Sequence, residues 1–452
     1  MKHQAASLVH DRIIPTVFDM SDPGTGKTAV RIWAFAKRRK VGGGALLVLC
    51  PRSLTRSAWA NDFAKFAPDM RVSVATAENR AAAFDEKADV YVTNHDAAKW
   101  LAAQPKQFFA KFSELVVDES TAFKHHTSLR SKALRKLVSH KLNGKPIFGR
   151  RALLSATPTS NGICDIWHQV ALLDDGERLG NSFYAFRNVV STPTQVGRNV
   201  NALKWEDKEG AEEAVFGLIQ DLVIRHRFED CVDIPARHIY SVKYTLTAKQ
   251  LRAYEDMEQA QLLVFKDKKK MTAVNAAAVS TKLLQIASGA VYDNDGEHHV
   301  VDTARYELIM DLVEARVHPI VFFFWKHQVA ALVKEAEKRG MSYAVFDGEA
   351  SDKRRAEIEA AYQAKQYDVL FAHPKSTAHG LTLTAGTSII WSGPTADLEW
   401  FLQGNRRQAR IGQTQKTEVV VVLAEGTYDE RVYHEILMPK DGRMKTLLEL
   451  FS

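Results

Sequence analysis

The stretch Ser21-Asp22-Pro23-Gly24-Thr25-Gly26-Lys27-Thr28 constrains this chain more than any other segment. Thr16-Val17-Phe18, a short apolar run of strand character, precedes it, and Ala29-Val30-Arg31-Ile32-Trp33-Ala34-Phe35-Ala36, a good helix, follows. A strand, a Gly-rich turn and a helix in that order are the context a phosphate-binding loop needs. Gly24 and Gly26 can take backbone angles closed to other residues, so successive N–H groups can converge on phosphate oxygens. In such a loop Lys27 reaches the β/γ-phosphates and the Thr28 hydroxyl holds Mg²⁺. The expected nucleotide contacts here are Gly24, Thr25, Gly26, Lys27 and Thr28.

At 452 residues the chain exceeds one compact core, and two or three domains are expected. Its 46% hydrophobic and 25% charged residues are ordinary for a soluble globular enzyme. The formal net charge of +7 leans towards a polyanionic partner. Cys50, Cys164 and Cys231 lie far apart, which suggests neither a zinc site nor a disulfide framework and fits a reducing, cytoplasmic setting. The longest apolar runs, Ile320–Trp325 and Val419–Ala424, are strand-sized and too short to span a bilayer. No secretory signal is visible, so no membrane partner is expected.

From Thr16 to about Leu173 short β-rich runs alternate with amphipathic stretches: Ala45–Cys50, Val72–Ala75, Asp89–Thr93, Leu115–Val117 and Ala152–Ser155. The same alternation returns after Pro319 with Ile320–Phe324, Tyr343–Phe346, Val369–Ala372, Ser388–Trp391 and Glu418–Leu423. Buried strands separated by helices imply parallel sheets covered on both faces. The fold class expected is therefore α/β, with two parallel-sheet lobes over 1–235 and 236–452. The second includes a largely helical region over about 247–314, in which Lys266-Asp267-Lys268-Lys269-Lys270 reads as a solvated turn between helices.

Leu115-Val116-Val117-Asp118-Glu119 carries the second chemical signal. An apolar run ending in two acids places both carboxylates at the C-terminal edge of a strand, where ligands bind in open α/β sheets. Asp118 there holds Mg²⁺, and Glu119 orients and deprotonates the attacking water. Ser155-Ala156-Thr157-Pro158 ends a further strand with small hydroxylated residues able to hydrogen-bond the acidic pair. In Gln403–Gln413, Arg407 and Arg410 are three apart and share a face if the segment is helical. Two guanidinium groups presented together suit a transferring phosphoryl group.

In this order the segments resemble the superfamily 2 nucleic-acid motors, and among them the Swi/Snf-type double-stranded DNA translocases. Lys2-His3-Gln4 looks like the adenine-reading motif of that family, which adds Gln4 to the nucleotide contacts. Leu49–Leu54 with Trp59 and Phe63 resembles its motif Ia, and Thr93-Asn94-His95 its motif Ib. Asp118-Glu119-Ser120 followed by Phe123-Lys124 stands at the acidic box, and Ser155–Asn161 with Trp167 at motif III. Ala378–Leu383 resembles motif V, and Gln403–Gln413, ending in Arg-Ile-Gly-Gln, closely matches motif VI. Ile224-Arg225-His226-Arg227 fits the junction between the lobes. Ser120, Thr121, Asp22-Pro23 and Arg406 depart from the common pattern and look closer to compact phage-encoded members than to chromatin remodellers.

The resemblance implies two RecA-like lobes, with ATP and Mg²⁺ bound on the first and Arg407 and Arg410 completing the site on closure. It implies an ATPase that moves along double-stranded DNA with little regard to base sequence, gripping phosphates through polar contacts. Candidate nucleic-acid contacts are Arg52, Ser53, Thr93, Asn94, Lys326 and Thr382. The alternatives are a strand-separating DNA or RNA helicase and a nucleotide-gated DNA-binding scaffold. A scaffold needs no water-activating carboxylate, and Lys27, Glu119, Arg407 and Arg410 are all retained.

Overall fold

The aliphatic runs become strands of two parallel sheets. The computed structural model describes residues 1–195, 203–231, 237–267, 273–293, 295–377, 383–408 and 413–449. The first sheet contains β1 (Thr16–Asp19), β2 (Ala45–Cys50), β3 (Val72–Ala75), β4 (Val90–Asn94), β5 (Phe112–Asp118), β6 (Arg150–Leu154) and β7 (Val223–Ile224). Their order is β7-β1-β6-β5-β2-β4-β3, and every neighbouring pair is parallel. All six residues of β2 are buried, as a parallel strand covered on both faces requires.

The second sheet contains β8 (Arg237–Tyr244), β9 (Ile320–Phe322), β10 (Tyr343–Phe346), β11 (Val369–Ala372), β12 (Ser388–Trp391) and β13 (Thr417–Ala424). Its order is β8-β13-β12-β9-β11-β10, again parallel throughout. The protein is thus α/β, with two parallel-sheet lobes. Two compact units result: Met1–Thr192 with Trp205–Asp233 and Arg443–Ser452, and Pro193–Lys204 with Ile234–Gly442. Arg443–Ser452 groups with the first unit, whereas the sequence reading kept 236–452 together.

Each unit has its own core. In the first, Ile32 and Phe35 pack with Leu46, Val48, Trp59, Val92 and Val116. In the second, Ile309, Val313, Val321, Leu332, Phe371 and Val420 do the same. Each such fully buried aliphatic or aromatic side chain contributes about 1.5–3 kcal/mol.

Within these two sheets, two strands were not expected. β7 has two residues, too few for a periodicity, and β8 is an edge strand with exposed His238, Tyr240 and Lys243 rather than an apolar run. The helical region holds helices Ala248–Asp267, Ala273–Ala287 and Ala304–Glu314. It also holds an antiparallel pair, Ala290–Tyr292 with His298–Val300, whose exposed second strand gave no signal. Lys266 and Asp267 end the first of these helices, and Lys268–Lys270 lie outside the described residues. No described helix is long and apolar enough to cross a membrane.

A buried ionic cluster ties helix α1 (Lys2–Ile13) to helix α2 (Lys27–Lys40). Asp11 Oδ1 accepts from Arg31 Nη1 at 2.5 Å, and its other oxygen accepts from Arg38. Arg38 also donates twice to Glu114 of β5, at 2.7 Å each. Because α2 starts at Lys27, this cluster helps set how the preceding loop is presented. The Arg31 side chain is only 2% exposed, so losing its carboxylate strands a buried charge. Asp11→Ala should destabilise the first unit by about 3–5 kcal/mol. Replacing both partners, Asp11→Leu with Arg31→Met, should recover most of that loss, as read from urea or thermal unfolding. Equal loss in the single and double variants would contradict this.

Candidate active site

Strand register brings the two chemical segments together. Asp19, the last residue of β1, is level with Leu154 of β6, and Leu154 is level with Asp118, the last residue of β5. Two strand spacings of about 4.8 Å separate β1 from β5, so both chains leave the same sheet edge about 10 Å apart. That edge is the carboxyl end of the strands, where α/β sheets bind ligands.

The loop after β1 folds on itself. Asp19 Oδ1 accepts from the Ser21 amide at 3.1 Å, and the Thr25 hydroxyl donates to the Asp22 carbonyl at 2.8 Å. Thr25 is buried, so its hydroxyl serves the loop's own shape. Gly24 and Gly26 both have φ of 88°, a left-handed conformation that L side chains rarely adopt. Space is short as well: a Cβ at Gly24 would lie 2.7 Å from the Phe228 ring, and one at Gly26 2.2 Å from Gln4 Nε2. His3 Nε2 and Gln4 Nε2 both donate to the Thr25 carbonyl, at 2.8 and 3.3 Å, which seats Gln4 directly on the loop.

Gly26 is the N-cap of α2, and no side chain caps that end. The first-turn amides of a helix lack intrahelical partners and, with the helix dipole, favour an anion there. Thr28 lies in this first turn, half-buried. Lys27 Nζ donates to the Ser21 carbonyl at 2.5 Å. Burial pulls the Lys27 ammonium below its ordinary pKa, while Asp19, Glu119, Asp118 and Asp22 oppose the shift. Lys27 therefore feels both carboxylates of the acidic pair. An uncapped helix end, two obligatory glycines and one lysine make a cradle that fits a polyphosphate.

Burial raises the Asp118 carboxyl, and the Trp59 indole and Lys27 pull it back down. Asp118 Oδ2 accepts from Trp59 Nε1 at 2.9 Å and Oδ1 from the Glu119 amide at 3.1 Å. His95 Nε2 donates to the Asp118 carbonyl at 2.7 Å, and burial holds that imidazole down at about 4, so it is neutral near pH 7. Glu119 has φ of 50° and ψ of 57°. A non-glycine residue held there costs about 1–3 kcal/mol, a strain that clusters at functional sites.

The Ser155–Asn161 segment joins the acidic box through intermediaries. Ser155 donates its amide to the Asp19 carbonyl at 3.1 Å, and its hydroxyl accepts from the Thr157 amide at 3.2 Å. Ser120 Oγ donates to Gln169 Oε1 at 2.7 Å, and Gln169 Nε2 donates to the Pro158 carbonyl at 2.8 Å. Lys124 Nζ donates to Ser160 Oγ at 2.7 Å and pairs with Asp165 at 3.1 Å. Thr157 Oγ1 is buried without a hydrogen-bond partner among the described residues. Neither Trp59 nor Gln169 carries a local signal for this contact, since each reaches the acidic box across dozens of residues.

In the second unit helix Leu398–Asn405 stops at Asn405, and Arg407 lies in the turn beyond it. Arg407 itself is therefore not part of that helix. Gly404 packs against Trp391 and Phe322, and Asn405 Oδ1 accepts from Trp391 Nε1 at 2.8 Å, which fixes the helix end against the sheet. Arg407 is 3% exposed and donates its Nε to the Gln403 carbonyl at 2.9 Å. Arg410 and Thr382 lie outside the described residues. Lys326 is exposed at the start of helix Lys326–Lys338, with a loose ion pair to Glu349 at 3.8 Å.

Among the other candidate nucleic-acid contacts, Arg52 is exposed and Ser53 half-buried just beyond β2. Asn94 ends β4, and its Oδ1 accepts from Arg80 at 3.2 Å. Thr93 is corrected: it is 0% exposed inside the sheet, and its hydroxyl donates to the Ala75 carbonyl at 2.8 Å.

The glycine requirement can be checked directly. Gly24→Ala should weaken ATP binding at least about tenfold, from a backbone penalty of roughly 1–2 kcal/mol plus displacement of the Phe228 ring. Adding Phe228→Ala relieves the clash and leaves the backbone conflict, so the double variant should recover only part of the affinity in calorimetric titration. Full recovery would show that crowding alone, and not φ, requires glycine.

The SNF2-related domain model matches residues 19–289. The chain is 29% identical over 431 residues to protein p41 of Acyrthosiphon pisum secondary endosymbiont phage 1, covering 90% of this chain and 89% of that protein. It is 24% identical over 455 residues to the ATP-dependent helicase MG018 of Mycoplasma genitalium, covering 94% of this chain and 40% of that longer protein. A solved structure of the Sulfolobus solfataricus SWI2/SNF2 ATPase core in complex with dsDNA aligns at a TM-score of 0.44 and 20% identity, covering 99% of this chain and 93% of that one. With the family match spanning more than half of its length, the chain belongs to the SNF2-related domain family of helicase-like ATPases.

Proposed function

We propose that this protein couples ATP hydrolysis to movement along double-stranded DNA without separating the strands. The observation that carries the reading is the shared sheet edge, which sets Lys27 within electrostatic reach of Asp118 and Glu119. In this reading the amides of Gly24–Thr28 and the Lys27 ammonium hold the β/γ-phosphates. Thr28 and Asp118 hold Mg²⁺, which neutralises charge on the phosphates when bound. Glu119 accepts the proton of the attacking water. Arg407 and Arg410 are proposed to stabilise charge on the transferring phosphoryl group. Gln4, fixed to the loop at Thr25, is proposed to read the base. The resemblance of Gln403–Gln413 to motif VI of the duplex translocases supports DNA as the track, as does the net charge of +7.

Two variants should separate binding from chemistry. Lys27→Ala should abolish turnover and weaken ATP binding, because it removes the charge facing the β/γ-phosphates. Glu119→Gln should keep ATP affinity within about threefold while cutting kcat by about a hundredfold or more, since an amide accepts no proton. Equal losses of affinity in both would overturn the role of Glu119.

The track is tested by ATPase rates with no nucleic acid, single-stranded DNA, duplex DNA and RNA. Duplex DNA should stimulate most, and its binding should weaken steeply as salt rises, through counterion release. Displacement of a triplex-forming strand without unwinding of the duplex would support translocation, and unwinding would favour a helicase. Stimulation by RNA alone would contradict the proposal.

A further inference from the structure

The segment Ile224–Phe228 grips the phosphate loop from about two hundred residues downstream. Arg225 Nη1 donates to the Met20 carbonyl at 2.7 Å and to Asp22 Oδ1 at 2.8 Å. The other oxygen of Asp22 accepts from the Phe228 amide at 3.0 Å. The Asp22 amide donates to the His226 carbonyl at 2.9 Å, and the Met20 amide to the Ile224 carbonyl at 2.8 Å. Ser21 Oγ accepts from the His226 amide at 3.0 Å, and Ser7 Oγ lies 2.8 Å from His226 Nε2. Three consecutive loop residues, Met20, Ser21 and Asp22, are thus each fixed by this segment. The Arg225 side chain is 7% exposed and that of Asp22 12%, so water screens this pair poorly.

We infer that Arg225 is a positioning residue for nucleotide binding, which holds the loop in its phosphate-ready shape and neutralises Asp22 beside Lys27. The inference rests on residues 20–28 being the ATP phosphate loop. Asp22 is one of the carboxylates that Lys27 feels. Without Arg225, its charge would compete with the phosphates for Lys27 and repel them. A loop that is competent only a tenth to a hundredth of the time raises the apparent Kd by the same factor. Phe228 adds a steric stop, since its ring lies against Gly24 and a Cβ there would meet it at 2.7 Å.

The test compares Arg225→Gln, Arg225→Lys and Arg225→Gln with Asp22→Asn. Affinity for ATP with Mg²⁺ is read by calorimetry, kcat and KM by steady-state ATPase, and folding by the melting temperature. Arg225→Gln should raise Kd and KM roughly 10- to 100-fold, with kcat at saturating ATP within about threefold. Arg225→Lys keeps the charge and two or more donors, and should return Kd to within about threefold of wild type. The double variant removes the Asp22 charge beside Lys27 as well and should bind more tightly than Arg225→Gln alone. Wild-type affinity in a folded Arg225→Gln protein would overturn the inference while leaving the phosphate loop in place. Equal melting-temperature loss in the Gln and Lys variants, with affinity unchanged in the folded fraction, would overturn it too. Failure of the wild type to bind ATP would overturn the phosphate-loop reading itself, and this inference with it.

Discussion

Everything in the candidate site depends on the parallel pairing of β1, β6 and β5. Because the three strands run the same way in matched register, Asp19, Leu154 and Asp118 come level at one edge. A one-residue slip would reverse the faces of a whole strand, and the apolar residues buried along β1, β5 and β6 forbid it. Core packing therefore sets where these strand ends lie. Local chemistry then refines the placement: two left-handed glycines shape the loop, and a left-handed Glu119 turns the chain directly after Asp118.

Around that edge, polar side chains brace each element from a distance. Trp59 and His95 hold Asp118 through its side chain and its carbonyl. Ser120, Gln169 and Lys124 tie the acidic box to Ser155–Asn161. Asp11 fixes α2 beneath the loop, and Arg225 fixes the loop itself. Most of these partners are buried, where a satisfied hydrogen bond is worth more than in water and a stranded one costs more. The result is a preorganised cradle, which lowers the ordering cost at the moment a ligand binds.

Much of this architecture was legible in the sequence because its signals are local. Ala45–Cys50, Val72–Ala75, Tyr343–Phe346, Val369–Ala372 and Ser388–Trp391 are strands with those very limits, since each is a continuous apolar or alternating run flanked by polar residues or by Gly and Pro. The phosphate loop was legible for the same reason: glycine, lysine and threonine sit within a few residues of one another. What escaped was long-range or polar. β8, Arg-His-Ile-Tyr-Ser-Val-Lys-Tyr, is a polar, half-exposed strand at a sheet edge, with no apolar run to announce eight paired residues with β13. Arg225 meets Asp22 across 203 residues and Trp59 meets Asp118 across 59, separations that no local pattern encodes. Thr93 looked available in sequence, yet its strand is packed on both faces. Arg407 would share a face with Arg410 only in a helical segment, and helix Leu398–Asn405 ends before it.

The central claim is that one sheet edge of the first unit binds and hydrolyses ATP, with loop and acidic pair acting on the same nucleotide. A crystal structure with Mg²⁺ and a non-hydrolysable ATP analogue tests it most directly. The β- and γ-phosphates should lie against the amides of Gly24–Thr28, with Lys27 moved from the Ser21 carbonyl onto phosphate oxygens. Asp118 should lie on the metal's side of the nucleotide and Glu119 should face the γ-phosphate. A nucleotide seated elsewhere, or bound at the loop with Glu119 turned away from the γ-phosphate and Lys27 still on Ser21, would contradict it.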